Sequence, residues 1–343
     1  MALCLGLLLV SVFILQSTAR PQRKPHYEQM LAAAMRTAAA FDAVKTERIR
    51  RGIPLNIADD LNQTGMIFDE FTDITTTLGS LDAKRTATNS NMAALIVDML
   101  KSAGVSADDT VAVNLSGSFP TLNIATLCAL DAMGLRGAVI TSVGASTYGA
   151  TNPDFTYMDI EHFLFENGYI GQKSLAYSMG GAGDLGLEMP DDVKSQIQAR
   201  LSYPLLTYPG LDQNIAARVQ LYGETGPVKC LINVGGNLLS FGLDSGLTHA
   251  EAGILTGLPG GESGNGLVQH YARRGIPVIH LLNMKGVSTH YGLPYDPVPL
   301  PGPGDGAVYY LVAPNAALAW GGVAFNIIVL VLLLRKRDWY FGF

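Results

Sequence analysis

The chain has 343 residues, enough for one large core or two modest ones, and 48% of them are hydrophobic against 15% charged. A formal net charge of −6 leaves no basic patch, which excludes nucleic acid as a partner. Cys4, Cys128 and Cys230 stand far apart with no CxxC. This supports neither a disulfide framework nor a zinc site; inert buried thiols are expected, with a Cys128–Cys230 bridge open only in an oxidising compartment.

Residues 2–15 form an apolar run, followed by Ser17-Thr18-Ala19 and by Arg20, Arg23 and Lys24. Residues 1–19 therefore read as a signal peptide or an uncleaved signal anchor. Residues 27–51 are rich in Ala, Met, Gln, Glu, Lys and Arg and are stopped by Gly52-Ile53-Pro54. They predict a helix, and residues 20–55 read as a helical stalk, or as a helix docked along a membrane. Residues 56–77 show no strong period and predict loop. Met92, Leu95, Ile96, Met99 and Leu100 make the stripe of an amphipathic helix over 91–103.

Residues 110–141 read as one βαβ unit: a strand ending at Asn114, a helix over 122–133 closed by Gly134, and a strand from Gly137. Further helices are predicted over 159–166, 190–201, 212–222 (ended by Gly223) and 264–274. Strands begin at Ser174, Cys230 and Pro277. This alternation predicts an α/β fold over 56–290, with a mostly parallel Rossmann-like sheet and helices on both faces. Residues 291–315 carry Pro294, Pro297, Pro299, Pro301 and Pro303 and read as an extended linker. Residues 316–334 contain no charge and predict a transmembrane helix, followed by a basic-aromatic tail over 335–343. Basic Arg335, Lys336 and Arg337 favour the cytoplasmic side, which places the main domain outside the cytoplasm. Arg20, Arg23 and Lys24 oppose that assignment if the N-terminal run also inserts.

Five apolar runs end alike, in glycine with Ser, Asn or Lys. Asn114 leads to Ser116-Gly117-Ser118, and the second run to Ser142-Val143-Gly144-Ala145-Ser146. The third ends in Met179-Gly180-Gly181, the fourth in Gly235-Gly236-Asn237 and the fifth in Asn283-Met284-Lys285-Gly286. In an open parallel sheet, ligands bind past the carboxyl ends of the strands. The expected ligand site is therefore lined by Asn114, Gly117, Ser142, Gly144, Ser146, Gly180, Gly235, Gly236, Asn237 and Asn283.

Ser116 and Ser118 sit between a strand and a helix. Such a position suits a nucleophile, an anion-binding loop or a plain helix cap, and all three readings stand. Lys84 and Lys285 are candidate bases or ligand cations, each with an exposed lysine as the plainer reading. Asp154, Asp159 and Glu161 suit general acid–base work or a helix start. His249, His270, His280 and His290 lack H-x-H and H-x-x-x-H spacing, and His280 reads as a core histidine. Neither G-x-G-x-x-G nor a Walker A loop occurs, so no nucleotide or metal cofactor is expected.

One ordered set of segments resembles the poly-γ-glutamate system protein family. It comprises Gly79-Ser80-Leu81-Asp82-Ala83-Lys84, the run from Leu115-Ser116-Gly117-Ser118-Phe119-Pro120 to Ile124, Ser142-Val143-Gly144-Ala145-Ser146, and Asn152-Pro153-Asp154-Phe155-Thr156. The likeness runs from Tyr27 to Gly286. These are membrane-associated proteins that accompany the ligase and membrane subunits of bacterial poly-γ-glutamate synthesis. The resemblance implies an accessory role with membrane, polymer and synthase subunits as partners, and it implies no particular reaction. Three functions follow. The chain binds, guides or exports an acidic polymer; or it is a serine-dependent hydrolase or transferase on γ-glutamyl amides, using Ser116 or Ser118 with Lys84 or Lys285; or it is a structural subunit. Its acidic net charge repels a polyanion at long range, so any contact with the polymer is expected to be local.

Overall fold

A computed structural model describes residues 2–236, 238–242, 253–255 and 264–340. The chain forms two compact units, residues 26–308 and residues 1–25 with 309–343. Twelve α-helices and ten strands occur among the described residues. In chain order, the apolar helix α1 (Ala2–Ser17) leads to strand β1 (Arg20–Arg23), both in the smaller unit.

The larger unit opens with α2 (Tyr27–Arg50). Its buried Met30, Ala33, Ala34, Thr37, Phe41 and Val44 recur at three- and four-residue spacing, so they form one stripe. Next come β2 (Thr75–Thr77), α3 (Leu81–Ala87), α4 (Met92–Ser102), β3 (Thr110–Ser116) and α5 (Pro120–Met133). The α2 stripe packs on α4 and α5. The expected stalk is thus a core helix: its small apolar residues allow close helix packing, which a solvated stalk would not need. Pro120 stands at the first position of α5, where its missing N–H costs nothing, and Gly134 ends it in the left-handed region at φ 65°.

The unit continues with β4 (Arg136–Ser142), β5 (Ala145–Ser146), α6 (Tyr157–Glu166), β6 (Ala176–Ser178), α7 (Asp191–Arg200), α8 (Leu211–Thr225), β7 (Val228–Val234), α9 (Leu238–Phe241), β8 (Gly253–Leu255), α10 (Leu267–Ala272), β9 (Val278–Leu281) and α11 (Met284–His290). Helix α8 runs past Gly223, the expected stop, to Thr225. The main sheet has the order β6-β4-β3-β7-β9-β8, parallel except for β8. Every residue of β3 is buried, as a central strand covered on both faces requires. On one face Ala112, Ile140, Leu231 and Val278 pack with Ile215 and Tyr222 of α8 and Leu267 and Tyr271 of α10. Alternation turns Val111, Val113 and Val139 to the other face, toward α5. The chain leaves β3 toward β4 and β6 on one side, and returns to β7 and β9 on the other. This reversal opens a crevice at the carboxyl ends of β3 and β7. A small parallel pair, β2 with β5, stands beside it.

The proline-rich segment is not a free linker as far as residue 308. Tyr295 donates its hydroxyl to the Asp82 carboxylate at 2.9 Å, and Arg85 Nε meets Asp296 Oδ1 at 2.8 Å. Asn91 Nδ2 donates to the Gly302 carbonyl at 2.9 Å. Prolines fix an extended path, and side chains from α3 and the start of α4 satisfy its polar groups.

In the smaller unit β10 (Tyr310–Ala313) pairs antiparallel with β1, and α12 (Ala316–Tyr340) follows. Residues 316–333 have a mean hydropathy of 2.3 with none of them buried, long and apolar enough to cross a membrane. The apolar segment Leu5–Ser17 is shorter than a span. Helices α1 and α12 pack side by side, and Asn326 Nδ2 donates to Ser11 Oγ at 3.0 Å.

Candidate functional site

Three turns build the site. At the first, Gly117 N–H donates to Ser142 O at 2.8 Å, extending the β3–β4 ladder by one rung. A Cβ at Gly117 would stand 2.3 Å from Val143 O, so only glycine lets the two strand ends meet so closely. At the second, Gly144 N–H donates to Met179 O at 2.9 Å, and β5 then brings Ser146 back so that its N–H donates to Ser118 Oγ at 3.0 Å. At the third, Gly79 N–H donates to Thr147 Oγ1 at 2.7 Å, and Ser80 caps α3 by accepting from Ala83 N. One turn into α3, Lys84 points inward.

Lys84 is 3% exposed. Its Nζ donates to Ser146 Oγ at 2.7 Å and to the Ser118 carbonyl, and lies 3.9 Å from the centre of the Phe119 ring. Burial lowers its pKa from the usual lysine range to about 7, with no carboxylate opposing the shift. A serine hydroxyl thus meets an amine that loses its proton near neutral pH.

Both residues face a cavity of about 590 Å³. All five strand ends contribute to its lining: Ser116 and Ser118, Ser142 with Gly144 and Ser146, Gly181, Gly235 with Gly236, and Leu282. The segment from Thr76 to Ser80 closes one side, and Ala182 and Glu188 another. Three of the four segments that carry the family resemblance meet here; the fourth leads into α6.

Several expected members stand elsewhere. Lys285 is exposed on α11 with its Nζ 5.9 Å from the centre of the Tyr295 ring, away from the cavity lining. Asn283 caps α11, accepting from Gly286 N–H at 3.0 Å. Both lie past the end of β9, where the chain has already turned into a helix. Asn114 is buried two residues below Ser116, donating to Asn233 Oδ1 at 2.8 Å. Gly180 lies behind the lining, against Ser142 and the Gly144 backbone. Asn237 and His249 lie outside the described residues. Lys84 pairs with the hydroxyl of Ser146 and not, as expected, with that of Ser116 or Ser118: on Ser118 it meets the carbonyl, and Ser116 Oγ leans on Val234 O at 3.5 Å. The N–H groups of Gly117, Gly144 and Gly235 all donate to backbone carbonyls, so they are not the free oxyanion donors a glycine-rich site suggests.

Beneath the cavity lies a buried polar network. Asp184 accepts from Ser178 Oγ at 2.7 Å, and from Asn214 Nδ2 and an Arg218 terminal nitrogen at 2.8 Å each. Asn233 joins Asn114, Ser240 and His280 Nδ1. His280 is buried and keeps one ring nitrogen unpartnered among the described residues; burial lowers its pKa to about 4, so it is neutral. Of the three acids near α6, Asp159 forms a capping box with Thr156, while Asp154 makes a turn with Asn152. Glu161 is buried, accepts from Ser174 N–H and Oγ at 2.8 Å each, and has its pKa raised to about 7 by burial. Cys128 and Cys230 are unbridged and buried, with both thiols pushed up to about 12 by desolvation.

Phe119, Ala182 and Glu188 were not legible as site residues. Ser146 was legible as lining, but its pairing with Lys84 across 62 positions was not. No family model, no curated protein and no solved structure matches this chain.

Proposed function

We propose that the protein is a membrane-attached accessory component of poly-γ-glutamate production whose α/β unit performs acyl transfer or hydrolysis on γ-glutamyl amides. The observation that carries the chemistry is the 2.7 Å contact between Lys84 Nζ and Ser146 Oγ within the strand-end cavity. The neutral Lys84 amine takes the Ser146 hydroxyl proton as Oγ bonds to the amide carbonyl carbon. The C–N bond then breaks, and the leaving amine takes the proton from Lys84. Water, or a second amine, releases the acyl group by the reverse sequence. A serine–lysine pair needs no metal or imidazole, in keeping with a cavity lined by Ser, Gly and Lys.

The resemblance supplies the substrate class, and three of the four segments that carry it line or adjoin the cavity. Helix α12 supplies the anchor, with α1 packed beside it as a second membrane segment. Arg335, Lys336 and Arg337 near the end of α12 favour the cytoplasmic side, which supports a larger unit outside the cytoplasm. The sheet order supports a Rossmann-like description, with the cavity at its switch point.

A second reading is capture of an acidic ligand without cleavage. It is favoured by the engaged N–H groups of Gly117, Gly144 and Gly235, which leave fewer oxyanion donors. Incubation of the purified protein with poly-γ-glutamate separates the two readings. Chain shortening in the wild type that vanishes in Ser146→Ala and Lys84→Met supports acyl chemistry. Binding without shortening, equal in wild type and Ser146→Ala, supports capture.

A further inference from the structure

The turn after β6 is a dense run of left-handed residues. Gly180, Gly181, Gly183 and Gly186 all have positive φ, and Asp184 adopts one as well. Gly181, at φ 62° and ψ −149°, holds a conformation open essentially to glycine alone. The turn is fastened from below. Asp184 N–H donates to Gly181 O, and the Asp184 carboxylate is locked by Ser178, Asn214 and Arg218. Its upper side faces the cavity that holds Lys84 and Ser146.

That upper side is occupied by the chain itself. Ala182 N–H donates to both oxygens of the Glu188 carboxylate, at 3.0 and 2.9 Å. The carboxylate lies so close over Gly181 that a Cβ there would stand 2.2 Å from an oxygen. Glu188 is exposed, and no basic side chain among the described residues forms an ion pair with it. A charged side chain that reaches back six residues to a backbone N–H, at a cavity wall, occupies the position of an external anion.

We propose that the Gly181–Ala182 turn is the carboxylate subsite of the cavity, and that Glu188 fills it as an internal competitor that a substrate carboxylate displaces. The inference rests on the proposed γ-glutamyl reading and names the part of the substrate held: the free α-carboxylate of a residue beside the amide that Ser146 attacks.

The test uses the full chain in detergent, with glutarate as the probe and glutaramide as its neutral counterpart, read by calorimetry. A competitor seated nine-tenths of the time reduces apparent affinity about tenfold. Glu188→Ala, which empties the seat, is therefore expected to bind glutarate about tenfold more tightly than wild type, and Glu188→Gln, whose neutral amide oxygen still accepts from Ala182 N–H, to tighten by less, with glutaramide unchanged in both. Gly181→Ala, whose methyl enters the seat, is expected to lose glutarate binding while retaining the wild-type circular dichroism spectrum. Glutarate carries no amide to cleave, so this binding result stands whether or not Ser146 performs acyl chemistry. Unchanged or weaker glutarate binding in both Glu188 variants, or equal tightening for glutaramide, overturns the subsite whatever Ser146 does.

Discussion

Lys84 is a cation withdrawn from water with a hydroxyl, a carbonyl and an aromatic face in place of a carboxylate. Its ammonium form is disfavoured, so its pKa falls from 10.5 to about 7. Between those values the unfolded chain holds a proton that the folded chain has lost. Stability therefore rises with pH across that window and is least below it. Lys84→Met should flatten the rise, as urea midpoints at pH 7 and pH 9 would show. Glu161 has the opposite sign. Burial raises its pKa from 4.5 to about 7, so the folded chain holds the extra proton and stability falls as pH climbs between the two. Glu161→Gln keeps the acceptor for Ser174 N–H without the charge. It should raise unfolding free energy at pH 8 by roughly 1–3 kcal/mol and leave it nearly unchanged at pH 4.5. Equal gains at both pH values would contradict the assignment. At this scale the sequence named most of the participants and mispaired them. Residue type marks Lys84 and the serines as capable of chemistry, but which hydroxyl meets the amine depends on how β5 folds back on β2.

Elements with strong local signals were readable. The β3–α5–β4 unit declares itself through a buried apolar run, proline at a helix start and glycine at its end. Strands β2, β5 and β8 have two or three residues each, too few for any period to register. Helix α2 looked like an isolated stalk because its partners α4 and α5 are distant in sequence. The proline-rich segment likewise shows its path but not the side chains that hold it. Gly117 gives an element-level prediction. Its replacement by alanine places a methyl against Val143 O, where backbone cannot yield. Gly117→Ala should destabilise the larger unit by about 2 kcal/mol or more, measured by urea unfolding. A loss under 0.5 kcal/mol would mean that β3 and β4 separate more easily at their ends than this geometry describes.

At the scale of the whole molecule, the reversal of strand order at β3 and β7 gathers five sequence-distant turns around one cavity. The recurring strand-end glycines point to this arrangement in the sequence alone, since a parallel sheet converts similar strand ends into neighbours. The buried network of Asp184, Arg218, Asn214 and Asn233 escaped sequence reading, because Asn214 and Arg218 read as the surface of a helix and their partners Asp184 and Asn114 are distant in sequence. The smaller unit presents Trp320, Phe325, Ile327 and Leu332 to its surroundings, more than half of each exposed. Such a surface is stable only against lipid or another apolar partner. Deleting residues 316–343 should move a measurable share of the protein from the membrane pellet to the carbonate-washed supernatant. A fully membrane-bound truncation would assign anchoring to α1 alone.

The central claim is that Ser146 is a nucleophile with Lys84 as its base. The most direct measurement is mass analysis of the protein after brief exposure to a γ-glutamyl p-nitrophenyl ester, across pH 5 to 9. The account predicts one γ-glutamyl group on Ser146, forming faster as pH rises through about 7, where Lys84 becomes neutral. It predicts no adduct in Ser146→Ala and formation at least a hundredfold slower in Lys84→Met, within the usual range for loss of a general base. An adduct on Ser116 or Ser118, or one on Ser146 that forms equally fast without Lys84, would contradict it.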